Sequence, residues 1–376
     1  MSALADRAAR MALSSVVDCG EPAVCDLVDG AGAEAAWAAA REGVFGDPVA
    51  RRADALDVSR LQRRATELAV RFVVPGDEEW PERLGDLRYC EPINRRGGLP
   101  PGLWLRGPGH LAALVERSVA VVGSRAATSY GAGVAADLGA DLAAQGVAVV
   151  SGGAFGIDAA AHRGALAVHG PTVCVLANGV DVPYPSGNTA LLTWVAREHL
   201  LVSELPPGAT PTRVRFLARN RVIAGLSQGT VVVEAAIRSG ARNTASWALE
   251  CNRLLMAVPG PVHSTMSTGP HLMLREGKAS LVTSAADVLE LISPMGDHTV
   301  GAVQGETRPT DGLDPGQLAV FEALPARRWA SASEVASTLG ISLPGCLAEL
   351  TTLELAGLVE GDTAGWRLAR TTRSVS

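Results

Sequence analysis

The sequence is nearly free of lysine: of its 33 basic residues only Lys278 is a lysine, and the others are arginines. Together with the abundance of alanine and glycine, this bias is typical of GC-rich coding. A single arginine therefore says little about function, and only clusters of arginines are informative. Aromatic residues are also scarce, at 4%, so the hydrophobic cores are predicted to consist mainly of Ala, Val and Leu side chains.

Cysteines are few and isolated. The six of them form no C-x-x-C pair, and none has a histidine nearby at metal-ligand spacing. This pattern argues against a zinc site and against a disulfide framework, and we expect neither a metal nor another cofactor. No segment has the roughly 18 consecutive apolar residues that a membrane helix requires. The sequence therefore predicts a soluble, cytoplasmic protein.

Net charge limits the kinds of partner. The formal charge is −6, with 47% hydrophobic and 19% charged residues, which is the composition of a globular protein. The length of 376 residues allows two or three domains. An acidic total disfavours general binding of polyanions, so any site for nucleic acid must be local.

The two ends of the chain have helical patterns. Residues 1–70 contain "RAARMALSSV" and "EAAWAAARE", in which apolar residues recur at a spacing of three to four. Residues 294–312 lack periodicity and are interpreted as a linker. Residues 313–370 contain three helical stretches and a segment able to form a hairpin, an order typical of a winged helix. The presumed recognition helix there, 342–356, has no basic residue, so reading of duplex DNA by this helix is not expected.

The middle of the chain, residues 71–293, has the most regular pattern. Apolar runs alternate with helical stretches, which indicates a parallel sheet covered on both faces, that is, an α/β doubly wound, Rossmann-like sheet. Short strand-like pieces bounded by prolines come first, in 72–106. The six main runs are "SVAVVG" (118–123), "GVAVVSG" (146–152), "PTVCVLA" (171–177), "HLLVSE" (199–204), "GTVVVEA" (229–235) and "RLLMAVPG" (253–260).

Unusual residues follow these strands, at the sheet edge where such folds bind ligands. Seven arginines lie between 210 and 255 against only Glu234 and Glu250. Arginines and loop amides both bind phosphate oxygens, so several of them at one edge suit a ligand with several phosphates. Phe216 offers a face for base stacking or, equally, anchors a helix in the core. The loop residues concerned are Gly123, Ser124 and Arg125, then Ser151, Gly152 and Gly153, and then Arg242, Asn243 and Thr244.

Six motifs in order resemble the DNA-processing protein A family (DprA, also called Smf): "VAVVGSRAATSYG", "SGGAFGIDAAAH", "GVDVPYPSGN", "FLARNRVIAGLS", "TVVVEAAIRSGARNTASWALE" and "AVPGPV". The resemblance implies an extended Rossmann-like domain flanked by an N-terminal helical, SAM-like domain and a C-terminal winged-helix domain. It also implies a protein that binds single-stranded DNA, loads the recombinase RecA during recombination and natural transformation, forms a homodimer through the Rossmann-like domain, and is not an enzyme.

By motif, the basic DNA pocket falls on the G-S-R turn, on Arg219, Asn220 and Arg221, and on Ser239, Gly240 and Thr244. We expect phosphates to be held by Arg125, Arg219, Arg221 and Arg242, assisted by amides of the 123–124 and 151–153 turns. Two alternatives stay open. A nucleotide phosphoribohydrolase similar to the LOG type would use Glu234 as its acid, although the P-G-G-x-G-T loop of that family is absent. A pure adaptor would act through the helical ends.

Overall fold

In the computed structural model the described residues are 3–294, 309–325 and 327–369. The chain forms two compact units, Met1–Val300 and Gly301–Ser376. Most of the predicted linker 294–312 lies outside the described residues. Within the described ranges, no helix has both the length and the apolar character needed to cross a membrane.

Five helices open the first unit, in agreement with the helical pattern of residues 1–70. The first four share a small core that contains Leu13, Val24 and Ala36, whereas the first and fifth pack on the sheet, where Met11 and Ala65 join the cluster around Trp104. The assignment of residues 1–70 as a separate SAM-like domain stays a prediction. The helices are α1 (Ala3–Val16), α2 (Pro22–Ala31), α3 (Ala33–Arg41), α4 (Asp47–Ala55) and α5 (Val58–Glu67).

A nine-stranded sheet follows, and it contains all six predicted strands. The order across the sheet is β1-β2-β6-β5-β4-β3-β7-β8-β9. The pairs β1–β2 and β2–β6 are antiparallel and the other pairs are parallel. The strands are β1 (Val70–Val73), β2 (Leu103–Arg106), β3 (Ser118–Val122), β4 (Ala148–Ser151), β5 (Thr172–Leu176), β6 (Leu200–Ser203), β7 (Gly229–Val232), β8 (Leu254–Ala257) and β9 (Ser280–Leu281).

Helices cover both faces of the sheet, so the prediction of a doubly wound, Rossmann-like sheet is confirmed. Alternate residues of β3 enter opposite cores: Val119 and Val121 join one cluster, whereas Ala120 and Val122 join another. This two-sided burial explains why the strands are continuous apolar runs. The covering helices are α6 (Leu111–Val115), α7 (Ser129–Ala144), α8 (Ile157–Ala167), α9 (Thr189–Glu198), α10 (Arg213–Leu226), α11 (Ala241–Glu250), α12 (Thr268–Arg275) and α13 (Ala285–Ile292).

The strand order reverses beside β3. From β3 the chain runs outward through β4, β5 and β6, and it then returns to place β7 on the other side of β3. The connections that leave β3 and β7 diverge at this point and open a crevice beyond the carboxyl ends of the strands, which is where open α/β sheets bind ligands.

The second unit has three helices and a hairpin around its own core, which includes Val320, Cys346 and Leu350. These are the elements predicted for residues 313–370, and their designation as a winged-helix domain stays a prediction. They are α14 (Pro315–Ala323), α15 (Ala332–Leu339), α16 (Leu343–Leu355), β10 (Val359–Asp362) and β11 (Gly365–Leu368).

Helices α7 and α8 pack with their backbones in contact. A Cβ atom placed on Gly139 of α7 lies 2.3 Å from the carbonyl oxygen of Ala161, and one on Gly164 of α8 lies 2.0 Å from that of Ala136. Real Cβ atoms do not approach backbone oxygens so closely, so these glycines set the spacing of the two helices. Gly133, also on α7, has no atom of the described residues within 4 Å of its Cβ position.

Gly139 and Gly133 of α7 are expected to respond to alanine with opposite signs. Gly139→Ala forces α7 away from α8 and should lower the free energy of unfolding by about 1–3 kcal/mol. Gly133→Ala adds helix propensity without a clash and should raise it by about 0.5–1 kcal/mol. Urea unfolding of both variants measures the difference, and equal effects would contradict the backbone contact.

Candidate nucleic-acid interface

Helix α10 carries four arginines, Arg213, Arg215, Arg219 and Arg221, which have different surroundings. The helix begins at the carboxyl edge of the sheet, where the Thr212 side chain accepts a hydrogen bond from the Arg215 amide at 3.3 Å. From Ala218 to Leu226 every residue is buried. The first turn is therefore at the surface, while Arg219 and Arg221 enter the interior.

Arg221 forms a buried ion pair. Its Nη1 and Nη2 atoms donate to the two carboxylate oxygens of Glu204 at 2.8 and 2.7 Å, and its side chain is 0% exposed. Burial by itself lowers the pKa of Arg221, but the Glu204 carboxylate outweighs burial and raises it above its ordinary value. The expectation that Arg221 holds phosphate is corrected: both sides of its guanidinium fork are occupied and no solvent reaches it.

The Arg221–Glu204 pair connects three distant segments. Arg221 Nε donates to the carbonyl of Gly97 at 3.4 Å, and the Gly97 amide donates to the carbonyl of Gly20 at 2.9 Å. The amide of Gly20 in turn donates to Glu204 at 3.4 Å. The pair thereby joins α10 and the end of β6 to the N-terminal helices and to the segment before β2.

Arg219 lies under the edge of the sheet, 7% exposed. Its Nη1 donates to the carbonyl of Val175, and its guanidinium lies against Gly152, where a Cβ would be 2.1 Å from Nη1. Burial lowers the pKa of Arg219, and the Asp158 carboxylate offsets part of that shift. Arg219 lines the floor of the adjoining cavity and leaves its Nε without a partner among the described residues.

A cavity of about 680 Å³ occupies the crevice beside β3. Its walls are the loop after β3, the first turns of α10 and the loop after β7. Arg125 is exposed at its mouth, 4.5 Å from the centre of the Phe216 ring. In the described part of the chain, Arg125 makes no ion pair with a carboxylate. We call this space the central cavity.

Two further cavities adjoin the central cavity. The aromatic cavity, about 120 Å³, shares Arg125, Tyr184 and Phe216 with it. The outer cavity, about 1030 Å³, shares Arg213 and Arg238 with it. The three cavities, linked by these shared lining residues, are together called the trough.

Most of the predicted DNA-binding residues line the trough. Ser151, Gly153 and Arg221 do not. Ser151 is fully buried, and its hydroxyl donates to the carbonyl of Val121 at 2.7 Å. The residues that do line it are Gly123, Ser124, Arg125, Phe216, Arg219, Asn220, Ser239, Gly240 and Thr244 in the central cavity, Gly152 in the aromatic cavity, and Arg242 and Asn243 in the outer cavity.

Two of the loop amides expected to assist phosphate binding are engaged within the protein. The Ser124 amide donates to the carbonyl of Glu234 at 2.7 Å, and the Gly152 amide donates to Asp158 at 3.2 Å. These bonds fix the two turns, so the amides of Ser124 and Gly152 shape the site and are not phosphate ligands. Asn220 has a similar supporting role, since its side chain donates to Asn243 at 3.1 Å.

Phe216 is half-buried at the boundary of the central and aromatic cavities. Besides Arg125 at 4.5 Å, the Arg219 guanidinium lies 5.9 Å from its ring centre and the Tyr184 ring lies 5.8 Å away. The expected stacking face is therefore already covered by a guanidinium. In this structure Phe216 positions Arg125 through a cation–π contact.

The outer cavity contains arginines that were not assigned to the site from the sequence. Arg213 and Arg238 belong to the arginine cluster, but the motifs gave them no contact, and Arg95 and Arg96 come from the segment before β2. The sequence feature that could have pointed to Arg95 and Arg96 is the basic pair in "INRRGG". Arg253, counted in the same cluster, instead pairs with Asp86 at 2.6 Å and does not line the trough.

Glu234, the acid of the alternative hydrolase, is 1% exposed. Its carboxylate accepts hydrogen bonds from the amide and the hydroxyl of Thr128, the first of them at 2.9 Å. It therefore holds the start of α7 and does not line the trough.

His162, four residues after Asp158, bonds to the hydroxyl of Thr172 at 2.7 Å, and burial lowers its pKa to about 3, so it is neutral.

Comparison with known proteins identifies close relatives. The sequence model of the family described as DNA recombination-mediator protein A matches residues 71–293. A putative DNA processing protein DprA of Mycobacterium tuberculosis is 46% identical over 322 residues, 84% of this chain and 80% of that protein. Protein Smf of Escherichia coli is 35% identical over 308 residues, 79% of this chain and 78% of that protein.

Two solved structures are also similar. The X-ray structure of DprA from Streptococcus pneumoniae has a TM-score of 0.64 at 31% identity and covers 78% of this chain and 99% of its own. A structure described as giving insight into the single-stranded DNA binding mode of DprA from Helicobacter pylori has a TM-score of 0.50 at 26% identity. It covers 59% of this chain and 95% of its own.

Removal of Arg221 is expected to destabilise the fold. Arg221→Met leaves the Glu204 carboxylate buried without its partner and should lower the free energy of unfolding by about 3–5 kcal/mol. The double variant Arg221→Met with Glu204→Leu removes both charges and should recover part of the loss. Urea unfolding, monitored by tryptophan fluorescence, measures the free energies of unfolding of both variants. If Arg221→Met leaves stability unchanged yet abolishes DNA binding, Arg221 is a ligand after all.

Proposed function

Because this chain belongs to the DNA recombination-mediator protein A family, we propose that it binds single-stranded DNA in the trough. Its broad role is in DNA processing and recombination. The observation that carries the proposal is the position of Arg125: an exposed guanidinium at the mouth of a concave site, held by Phe216 and without a carboxylate partner among the described residues. An exposed guanidinium in a cleft is suited to bind phosphate.

The charge distribution of the trough supports an extended polyanion as the ligand. Arg125, Arg213 and Arg238 are all exposed along it. The carboxylate that lines the central cavity, Asp158, is 7% exposed and faces Arg219. Positive charge therefore dominates where a ligand would enter. Several phosphates in series match this arrangement better than one does.

Concavity favours a single strand over a duplex. A single strand can bend its backbone into a crevice and turn its bases toward neighbouring side chains, whereas a duplex presents a convex, stiff rod. The H. pylori relative, described as binding single-stranded DNA, supports the same ligand class. Because arginine contacts to phosphate carry no base information, we expect binding to be largely independent of sequence.

We propose a role in binding and not in catalysis. The alternative phosphoribohydrolase needs Glu234 as an accessible acid, and that carboxylate is buried against Thr128. Release of free base from a nucleoside monophosphate, abolished by Glu234→Gln, would overturn this part of the proposal.

The finer parts of the proposal come from the family. We propose that the protein, a homodimer through its sheet unit, acts in the cytoplasm, protects single-stranded DNA and loads the RecA recombinase onto it during recombination or natural transformation. The description of the matching family, DNA recombination-mediator protein A, supports the recombination part of this proposal.

Arg125→Ala is expected to weaken binding of oligo-dT about ten- to hundredfold, because it removes a charge-assisted hydrogen bond to phosphate. The plot of log affinity against log salt concentration should also flatten by about 0.7 for each phosphate that the variant no longer neutralises. Fluorescence anisotropy at several salt concentrations measures both quantities.

The matched control is Arg117→Ala. Arg117 is also exposed, but it immediately precedes β3 and therefore lies at the opposite, amino edge of the sheet. Its replacement should leave affinity and salt dependence unchanged. Equal losses for Arg117→Ala and Arg125→Ala, or a flat salt response of the unchanged protein, would refute the site.

Recombinase loading has its own test. Added to RecA and single-stranded DNA that is already covered by a single-strand-binding protein, the protein should shorten the lag before RecA hydrolyses ATP. Arg125→Ala should lose this effect and Arg117→Ala should keep it. If the unchanged protein binds the DNA tightly and the lag stays the same, the mediator role is wrong while the DNA site stands.

A further inference from the structure

The turn at residues 93–96 forms part of the wall of the outer cavity. This turn lies in the segment before β2, far in sequence from the strand-end loops, and it lines the cavity together with Arg213, Arg238 and Arg242. No acidic side chain is among the described residues that line the outer cavity. The lining of the outer cavity therefore carries positive charge and no carboxylate among the described residues.

The arginines of this wall differ in what they already bind. Arg96 pairs with Glu21 at 2.8 Å, and Arg242 donates to the carbonyl of Ile237 at 2.7 Å. Arg95, Arg213 and Arg238 are exposed and have no carboxylate partner in the part of the chain that the structure describes. Three unneutralised guanidinium groups thus converge on one cavity of a protein whose formal charge is −6.

The conformation of Arg95 is costly. Ile93 and Arg96 exchange backbone hydrogen bonds at 2.9 and 3.1 Å, so Asn94 and Arg95 are the two central residues of a tight turn, with φ of 52° and 62°. Turns with positive φ at both positions favour Asn followed by Gly. An arginine at the second position costs roughly 1 kcal/mol of backbone strain. Outliers of this kind cluster at functional sites.

The turn is also held rigidly in place. The Gly97 carbonyl accepts a hydrogen bond from Arg221 at 3.4 Å, and the Gly97 amide donates to Gly20 at 2.9 Å. The Arg96–Glu21 pair adds a third anchor. Arg95 therefore lies on a rigid turn. Binding of a strand at this turn costs little conformational entropy of the protein.

We propose that Arg95, with Arg213 and Arg238, binds the phosphates of the single strand as it leaves the central cavity, so that the bound segment extends across the outer cavity to the 93–96 turn. This inference rests on the proposed function and deepens it. The central and outer cavities share Arg213 and Arg238, which gives the strand a continuous path from Arg125 to Arg95.

The test compares two lengths of oligo-dT, about 5 and about 15 nucleotides, because only the longer one can occupy both cavities. Arg95→Asn removes the charge and keeps a residue that tolerates positive φ. We expect it to weaken binding of the longer oligomer about two- to fivefold at low salt, and to flatten its salt dependence by about 0.7. Binding of the shorter oligomer should not change.

Three controls make the outcome specific. Arg95→Lys keeps the charge and should retain most of the affinity for the longer oligomer. Arg125→Ala should weaken both lengths, and Arg117→Asn should weaken neither. Thermal melting should show that Arg95→Asn is folded like the unchanged protein.

The outcomes separate this inference from the proposed function. If Arg125→Ala weakens both lengths while Arg95→Asn behaves like the unchanged protein on the longer one, the extended path is wrong and the central site stands. If Arg95→Asn weakens both lengths equally, the assignment to the outgoing strand is wrong. If the unchanged protein binds neither oligomer, the proposed function fails and this inference fails with it.

Discussion

The buried pair of Arg221 and Glu204 is the interaction on which the trough depends. A guanidinium without solvent is tolerated only when a carboxylate and further acceptors surround it, and Glu204 and the Gly97 carbonyl provide them. The same contacts fix the orientation of α10, which carries Arg213 and Phe216, and the position of the turn that carries Arg95. One ion pair thus sets the distance between the floor of the trough and its outer wall, although neither partner is exposed to a ligand.

The four arginines of α10 have two different roles. Some stabilise the fold through internal contacts, and one is exposed at the surface. What distinguishes them is the acceptor that each one meets. Arg221 meets a carboxylate, Arg219 meets a backbone carbonyl and, at longer range, Asp158, and Arg215 meets the carbonyl of Thr210. Arg213, in the first turn, has no such partner among the described residues. The arginine able to bind a ligand therefore lies at the start of α10, at the carboxyl edge of the sheet. The arginines further along the helix stabilise the fold.

Much of the architecture follows from local patterns in the sequence. Buried parallel strands need apolar, β-branched runs, so all six main strands were predicted. The rule that ligands bind at strand ends brought Arg125 and Thr244 to one cavity, and the family motif added Ser239. The burial of Arg221 was not predictable in this way, because its partner Glu204 comes from the end of a different strand. The engagement of the Ser124 amide depends on the backbone of Glu234, and the role of Arg95 depends on a turn conformation. Such features arise only from contacts between distant segments.

The net charge of −6 has a consequence for selectivity. At physiological salt, exposed charges are screened beyond about 8 Å, so a nucleic acid that stays outside the trough experiences little of its positive potential. Only a strand that enters the crevice comes close enough to Arg125, Arg213 and Arg238. In the second unit, α16 carries Glu349 and Glu354 and no basic residue, so it gives duplex DNA no alternative site. The net negative charge of the chain thus favours ligands that are flexible enough to penetrate, which is a property of single strands and not of duplexes.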